Sequence, residues 1–182
     1  MKKMMILAIV LLSGTTWMAQ AETNDVNKAG TCTTEKSVSK EQAHQGAVEA
    51  LNRCDFVLQA HGMASTKNDD VAEVNPTVNF LAVKGDKGLL QMAPPTDKDN
   101  STPLCGMTMQ LDILSCDVKT DKHGNVTCLL SAMLDGTEKQ FKIKLNKKNN
   151  KAVAEYKGSS FAFIGELLPG EVSDIHVGTD KG

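Results

Sequence analysis

The chain has 182 residues, 41% hydrophobic but only 4% aromatic, with 20 Lys and Arg against 22 Asp and Glu. That length suits one domain with room for a hydrophobic core. A net charge of −2 gives no electrostatic reason to bind a phosphate backbone, so nucleic acid is excluded as an expected partner.

Lys2 and Lys3 precede an unbroken apolar run over residues 4–12, and residues 19–21 read Ala-Gln-Ala. A positive start, a short apolar run and a small-x-small ending are the three zones of a secretory signal. The run is too short for a bilayer, which takes about 20 apolar residues, and no cysteine follows it closely enough for lipid attachment. Residues 1–21 are therefore expected to be a signal peptide. The mature protein is expected to be exported, periplasmic or secreted, with no transmembrane anchor. Loss of Lys2 and Lys3 leaves 18 basic against 22 acidic residues, a net of −4. Trp17 goes too, and the remaining aromatics Phe56, Phe80, Phe141, Tyr156, Phe161 and Phe163 all fall in strand-like runs.

Residues 22–38 are polar and nearly free of large apolar side chains, the composition of a flexible arm. Ser39 with Gln42 three residues later forms a capping box. Ala43, Ala47, Ala50, Leu51 and Cys54 then recur at helical spacing. The stripe is narrow and built of small residues, so the helix needs a sheet to lie against. From Asp55 onward the pattern alternates. Strands are expected in DFVLQAH, TVNFLAVK, LLQMA, the long segment over residues 107–120, VTCLLSAML, KQFKIKLN, KAVAEYK and SFAFIGELL. GMASTKNDDVAEV reads as a polar connection and PPTDKDNSTP as a Pro-bounded loop. The later turns (DGTE, KKNN, GS) are short and force sequential antiparallel pairing. The expected architecture is mainly β: one N-terminal helix packed on a strongly curved antiparallel meander of about seven or eight strands, forming a partial or closed barrel. This single domain covers residues 39–169, and residues 170–182 form a C-terminal tail in which His176 is expected to fray.

The long strand changes phase. Met107, Met109, Leu111 and Ile113 are apolar at alternate positions, and then Leu114, Cys116 and Val118 are. A β-bulge near Ile113 and Leu114 would bring both sets to one face; the alternative is that each end of the strand is covered on a different face.

The succession DFVLQAHG, VNPTVNFLAVKGDKGLLQMA, GMTMQLDILSCDVKTDKHGNVTCLLSAML and SSFAFIGELLP resembles a domain family of unknown function found in exported proteins of gut and oral Bacteroidetes. The resemblance covers residues 48–169 and is most specific at Asn75-Pro76, Asn79-Phe80 and Gly85-Asp86. It implies a β-rich fold and a cell-envelope setting, and it brings no catalytic residues.

Chemistry has few candidates. Beyond the signal, the cysteines are Cys32, Cys54, Cys105, Cys116 and Cys128. A turn at Lys122-His123-Gly124 pairs Asp121 with Asn125, Val118 with Cys128, and Cys116 with Leu130. Cys116 and Cys128 then share a face as diagonal neighbours, about 7–8 Å apart at Cα against a disulfide limit of about 7 Å. That register favours two thiols acting as small core groups. A Cys116–Cys128 disulfide, allowed by an oxidising compartment, is expected only if the register shifts by two. No pair has the close spacing of a zinc site, and His123 belongs at the turn tip, so no metal and no cofactor are expected. His44 falls on the exposed side of the helix, His61 at the end of the first strand, and no nucleophile fingerprint appears; an enzyme is not expected. The lysines of KQFKIKLNKKNNK alternate with Phe141, Ile143 and Leu145, giving a basic outer face that protects a sheet from edge pairing or meets an anionic surface.

Two functional classes remain. One is a protein-interaction or structural role in the cell envelope, with an envelope protein as partner. The other is a periplasmic binding protein for an apolar or lipid-like ligand on a concave face lined by Phe80, Met107, Met109, Leu111, Met133 and Phe161, where flexible methionines suit an adaptable pocket. The same six residues also suit a plain core.

Overall fold

The structure is a computed structural model that describes residues 39–65, 70–93, 106–159 and 161–178. The signal peptide, the N-terminal arm, Cys32, Cys105 and the Pro-bounded loop lie outside the described residues.

Among the described residues, one helix, α1 (Lys40–Asn52), precedes nine strands: β1 (Asp55–Ser65), β2 (Val71–Glu73), β3 (Phe80–Lys84), β4 (Lys87–Met92), β5 (Met107–Thr120), β6 (Val126–Leu134), β7 (Thr137–Leu145), β8 (Lys151–Tyr156) and β9 (Phe161–Pro169). All pairings are antiparallel, in the order β2-β1-β3-β4-β5-β6-β7-β8-β9, and β9 pairs back with β1. Eight strands therefore close into a barrel. β2 sits outside the ring on the far half of β1, pairing Val71–Glu73 with Gly62, Met63 and Ala64, where β3 no longer reaches. The expected mainly-β meander with one helix is the observed fold. The segment read as a polar connection holds the end of β1 and all of β2, because three exposed residues paired on one edge carry no alternating signal.

Two irregularities bend the sheet enough to close it. In β5 the register against β6 shifts between Ile113 and Ser115. Leu114 is the extra residue, 54% exposed. Met109, Ile113, Cys116 and Val118 all pack against the one core that Leu111 belongs to. The bulge read from the phase change is present, and Leu114 is its outward residue rather than the first of the inward set. The second shift lies in β1, between Ala60 and Gly62 against β9. His61 is the extra residue there, exposed in mid-strand rather than at a strand end. Opposite it stands Gly165, where an added Cβ would lie 1.9 Å from the Gln59 carbonyl oxygen.

α1 starts as its sequence dictates. Gln42 N–H donates to Ser39 Oγ at 3.2 Å and Ser39 N–H to Gln42 Oε1 at 3.1 Å, the reciprocal box. Ala47, Ala50 and Leu51 are fully buried. The helix packs on β9 and β1 and also on β5, which lies across the ring from them. It therefore spans one end of the barrel. That end carries the β3–β4, β5–β6 and β7–β8 hairpins, and His44 Nδ1 lies 3.2 Å from Asn149 O in the last of these turns. His44 is thus a half-buried anchor, not an exposed residue. Among the described residues, no helix is long and apolar enough to cross a membrane.

The chain after β9 makes a 3₁₀ turn at Gly170–Val172 and then runs back over the outside of β1, β3 and β4. His176 N–H donates to Thr77 O (2.8 Å), Gln59 Nε2 to Asp174 O (2.6 Å), Gln91 Nε2 to His176 O (2.9 Å), and Gly178 N–H to Gln91 Oε1 (2.8 Å). Residues 173–178 are thus a bonded strap where fraying was expected; the strap contributes main-chain groups, which carry no side-chain signature, and the sheet meets them with the Gln59 and Gln91 side chains and Thr77 O.

Candidate functional site

The strap creates the site. Strand alternation turns Asp55, Val57 and Gln59 of β1, Phe80 and Ala82 of β3, and Leu89 and Gln91 of β4 outward. Over part of this surface the strap sits tight: Phe80 is 0% and Gln91 4% exposed. Gln91 also donates to Val78 O and accepts from Thr108 Oγ1, so its amide is fully engaged. Nearer α1 the strap stands off the sheet and leaves a groove of about 530 Å³. Val57, Ala82, Leu89 and Ile175 supply its apolar floor and wall, and Asp55, Glu171, Lys84 and Lys87 its charges. Lys87 is not free, for it bonds Asp112 at 2.7 Å, which raises its pKa above the ordinary lysine value. The groove offers apolar contact flanked by both signs of charge.

The local sequence explains why the floor is well placed. Asn75 Oδ1 accepts from Thr77 N–H (3.0 Å) and Thr77 Oγ1 (2.9 Å), which sets the Asn75-Pro76 turn. Asn79, 1% exposed, donates to Asn75 O at 3.0 Å and accepts from Ala93 N–H at 2.7 Å. Its own carbonyl takes the N–H of Ala60 at 2.8 Å. One buried amide thus joins the turn before β3, the end of β4 and the middle of β1.

The six residues proposed for a concave apolar face do not share a face. Leu111 is in the core, and Met109 packs against it. Phe161 lies beside Phe163, ring centroids 6.3 Å apart, on the inner side at the uncapped end. Met107 has inward parity but is 56% exposed at the start of β5. Phe80 and Met133 have the opposite parity, Phe80 opposite Gln59 and Gln91 under the strap and Met133 opposite Asp112. Sequence reasoning missed Val57, Ala82, Leu89 and Ile175. For Val57 and Ala82 the signal was that β1 and β3 are apolar on both parities, as strands covered on both faces are; Leu89 and Ile175 had none.

The hairpin from Cys116 to Cys128 has the expected register: Cys116 opposite Leu130, Val118 opposite Cys128, and Asp121 N–H bonded to Asn125 O at 3.0 Å. Asp121 Oδ1 accepts from His123 N–H (2.8 Å) and Asn125 N–H (2.9 Å), and Oδ2 from Asn125 Nδ2 (2.8 Å). These bonds, the Asn125 side chain first, lower the Asp121 pKa. The carboxylate is fully used in shaping the turn. Although the two cysteines are diagonal, their sulfurs are 3.5 Å apart, and both are free thiols. Cys54, at the α1–β1 junction, shares the Leu51 carbonyl with Cys116: its N–H donates to that oxygen at 3.1 Å and Cys116 Sγ at 3.6 Å. Among the described residues, no group of three or more His, Cys, Asp or Glu is arranged to hold a metal ion. His61 on the outer bulge and Cys54 beneath α1 are not brought together.

On β7, Phe141, Ile143 and Leu145 are buried while Lys142 and Lys144 face out. Lys144 is paired with Glu155, and Lys139 lies 5.9 Å from the Tyr156 ring centroid.

No family model and no curated protein matches the chain. Among solved structures, it is similar to a DUF4251 family protein from Bacteroides eggerthii DSM 20697, at 27% identity and a TM-score of 0.61, over 74% of this chain and 93% of that one. The likeness is thus to a Bacteroidetes domain of unknown function, in fold as well as in sequence, as the resemblance implied.

Proposed function

We propose that this is an exported, non-catalytic cell-envelope protein that works by binding a segment of a partner protein in the groove between the C-terminal strap and β1, β3 and β4. The observation that carries the reading is where apolar surface is spent and where it is left. At the capped end, Phe56, Leu58, Leu111, Leu130, Ile143 and Leu167 fill the barrel with essentially no exposure. Ala82, Leu89 and Ile175, only partly buried, instead line a groove open to solvent over the buried Val57, within the size range of ligand sites. Mixed charge at its margins suits a peptide segment, whose backbone and side chains present both signs, better than a bare hydrocarbon chain. The Lys2-Lys3 start, the apolar run and Ala19-Gln20-Ala21 support export. A second reading, an apolar ligand entering the uncapped end of the barrel, draws on the partly buried Met63, Met92 and Met109 packed against the core there.

The test is in-cell crosslinking in native cells with wild type, Leu89→Arg and a β7 control, Lys142→Glu. A partner crosslinked to wild type and to the control but lost from Leu89→Arg is expected. Equal recovery with Leu89→Arg sinks the groove. A small apolar molecule retained in native mass spectrometry and lost on Met109→Trp moves the assignment to the barrel interior. The mass of the purified protein checks cleavage after Ala21.

A further inference from the structure

Beneath α1, away from the groove, three thiols from distant parts of the chain meet. Cys54 ends the helix with φ +53, a conformation that L side chains rarely adopt. Cys116 follows the β5 bulge, and Cys128 is fully buried on β6. Cys116 Sγ donates to Leu51 O at 3.6 Å and stands 3.5 Å from Cys128 Sγ. Cys54 N–H donates to the same Leu51 O at 3.1 Å, which sets Cys54 beside Cys116. Cys116 is therefore the sulfur common to both contacts. Cys54 and Cys116 are partly exposed, so a reagent can reach the group without unfolding the barrel.

We propose that Cys54, Cys116 and Cys128 form an oxidisable three-thiol site in which Cys116 is the shared partner and takes either neighbour as a disulfide. Going from 3.5 Å to a bond of about 2.05 Å is a movement of about 1.5 Å, within reach of side-chain rotation and a small strand adjustment. The diagonal register leaves that bond strained, and strained disulfides are the labile ones. The oxidant is a disulfide-bearing donor, either a small-molecule disulfide or an exported oxidoreductase. The Cys116 thiolate attacks one donor sulfur and expels the other as a thiolate. Cys128 or Cys54 then attacks the Cys116 sulfur of the mixed disulfide and expels the second donor thiolate. Two protein S–H groups and one donor S–S become one protein S–S and two donor S–H groups, and both protons end on the donor. The remaining thiol can attack the Cys116 sulfur in turn, moving the bond to the other neighbour with no net oxidation. Burial, and then Cys116 itself, push the Cys54 thiol up to about 12, while the hydrogen bond with Cys128, and then burial, raise Cys116. The group accordingly rests as thiols and oxidises by slow exchange.

The test uses protein carrying Cys32→Ser and Cys105→Ser. The second change is needed because Cys105 and Cys116 fall in one tryptic peptide, residues 99–119. After incubation with oxidised glutathione, alkylation and tryptic mapping, the expected result is loss of two hydrogens, one remaining alkylatable thiol, and Cys116 bonded to Cys128 or Cys54. In Cys54→Ala the bond is Cys116–Cys128, in Cys128→Ala it is Cys54–Cys116, and in Cys116→Ala no internal bond forms. No bond to Cys116 in the three-thiol protein, with circular dichroism showing it folded, overturns the proposal. So does a Cys54–Cys128 bond formed as fast in Cys116→Ala. The first measurement stands even if the buried Cys128 site does not tolerate alanine.

Discussion

Single residues decide two features of this barrel for opposite reasons. Gly165 is required by its lack of a side chain: with Cβ 1.9 Å from Gln59 O and 2.8 Å from Ala60 Cα, the obstacle is backbone of the paired strand and cannot rotate away. Gly165→Ala is expected to destabilise the protein by about 3 kcal/mol or more, read as a lower midpoint in urea, whereas Gly124→Ala in the exposed hairpin turn, with open space around it, costs about 1 kcal/mol from its positive φ alone. Equal losses would show that β9 does not close on β1 as described. Asp121 acts through its charge. Its pKa is lowered by the bonds from Asn125 and His123, so its stabilising effect is fully present above the ordinary aspartate value of 3.8 and is lost as pH falls through the lowered folded value. An NMR titration is expected to place its midpoint below 3.8, and Asn125→Ala to move it back up. The Asp121 role was legible, because Asp, Gly and Asn in one short turn have few uses. The Gly165 requirement was not, since the residue it must admit lies about a hundred positions away in sequence.

At the scale of elements, α1 and β5 show how far pattern reading carries. The capping box and the narrow alanine stripe located the helix start and its buried face. They did not say that the stripe bridges the barrel from β9 and β1 to β5. In β5 the phase change located the bulge, since one extra residue is the cheapest way to keep apolar side chains of both phases on the inner face. This predicts an inversion of the usual order of sensitivity between neighbours. Leu114→Asp is expected to change stability by no more than about 0.5 kcal/mol, as an exposed site does. Ile113→Asp, inward and packed on the core, should cost about 2–3 kcal/mol for an unpaired charge at a half-buried position. Thermal melts of the two variants check this, and a larger loss at Leu114 would contradict the bulge. β2 and the second bulge at His61 escaped the sequence reading, because three exposed residues and one irregular residue in an otherwise regular strand leave no periodic trace.

For the molecule as a whole, closure and the strap matter most. A meander of eight strands can stay open or close, and the short turns are equally compatible with both. What closes it is the register of β9 on β1 across the β1 bulge. The strap then covers outer-face residues that an isolated barrel would leave wet. Deleting residues 173–182 removes the bonds to Thr77, Gln59 and Gln91 and uncovers Phe80. Hydrogen bonds worth about 1 kcal/mol each and an aromatic burial of about 2 kcal/mol, partly offset by the freed chain's entropy, give an expected loss of about 3 kcal/mol in urea unfolding. A truncated protein as stable as the full chain would mean that the strap does not hold the sheet. The same deletion opens one wall of the groove, so it should also abolish the crosslink assigned to it.

The sequence by itself marked α1, every described strand but β2, the sequential antiparallel order, and the places of the β5 bulge and of the hairpin turn, because each of these is written in side-chain alternation and turn chemistry within a dozen or so residues. Tertiary structure alone decided that the sheet closes, that the tail binds back through its main chain, that Val57, Ala82, Leu89 and Ile175 meet in a groove, and that Cys54 joins the two hairpin thiols. Those features depend on which distant parts of the chain come together, and the main-chain groups that take part in closure and in the strap leave no mark on the residues that carry them.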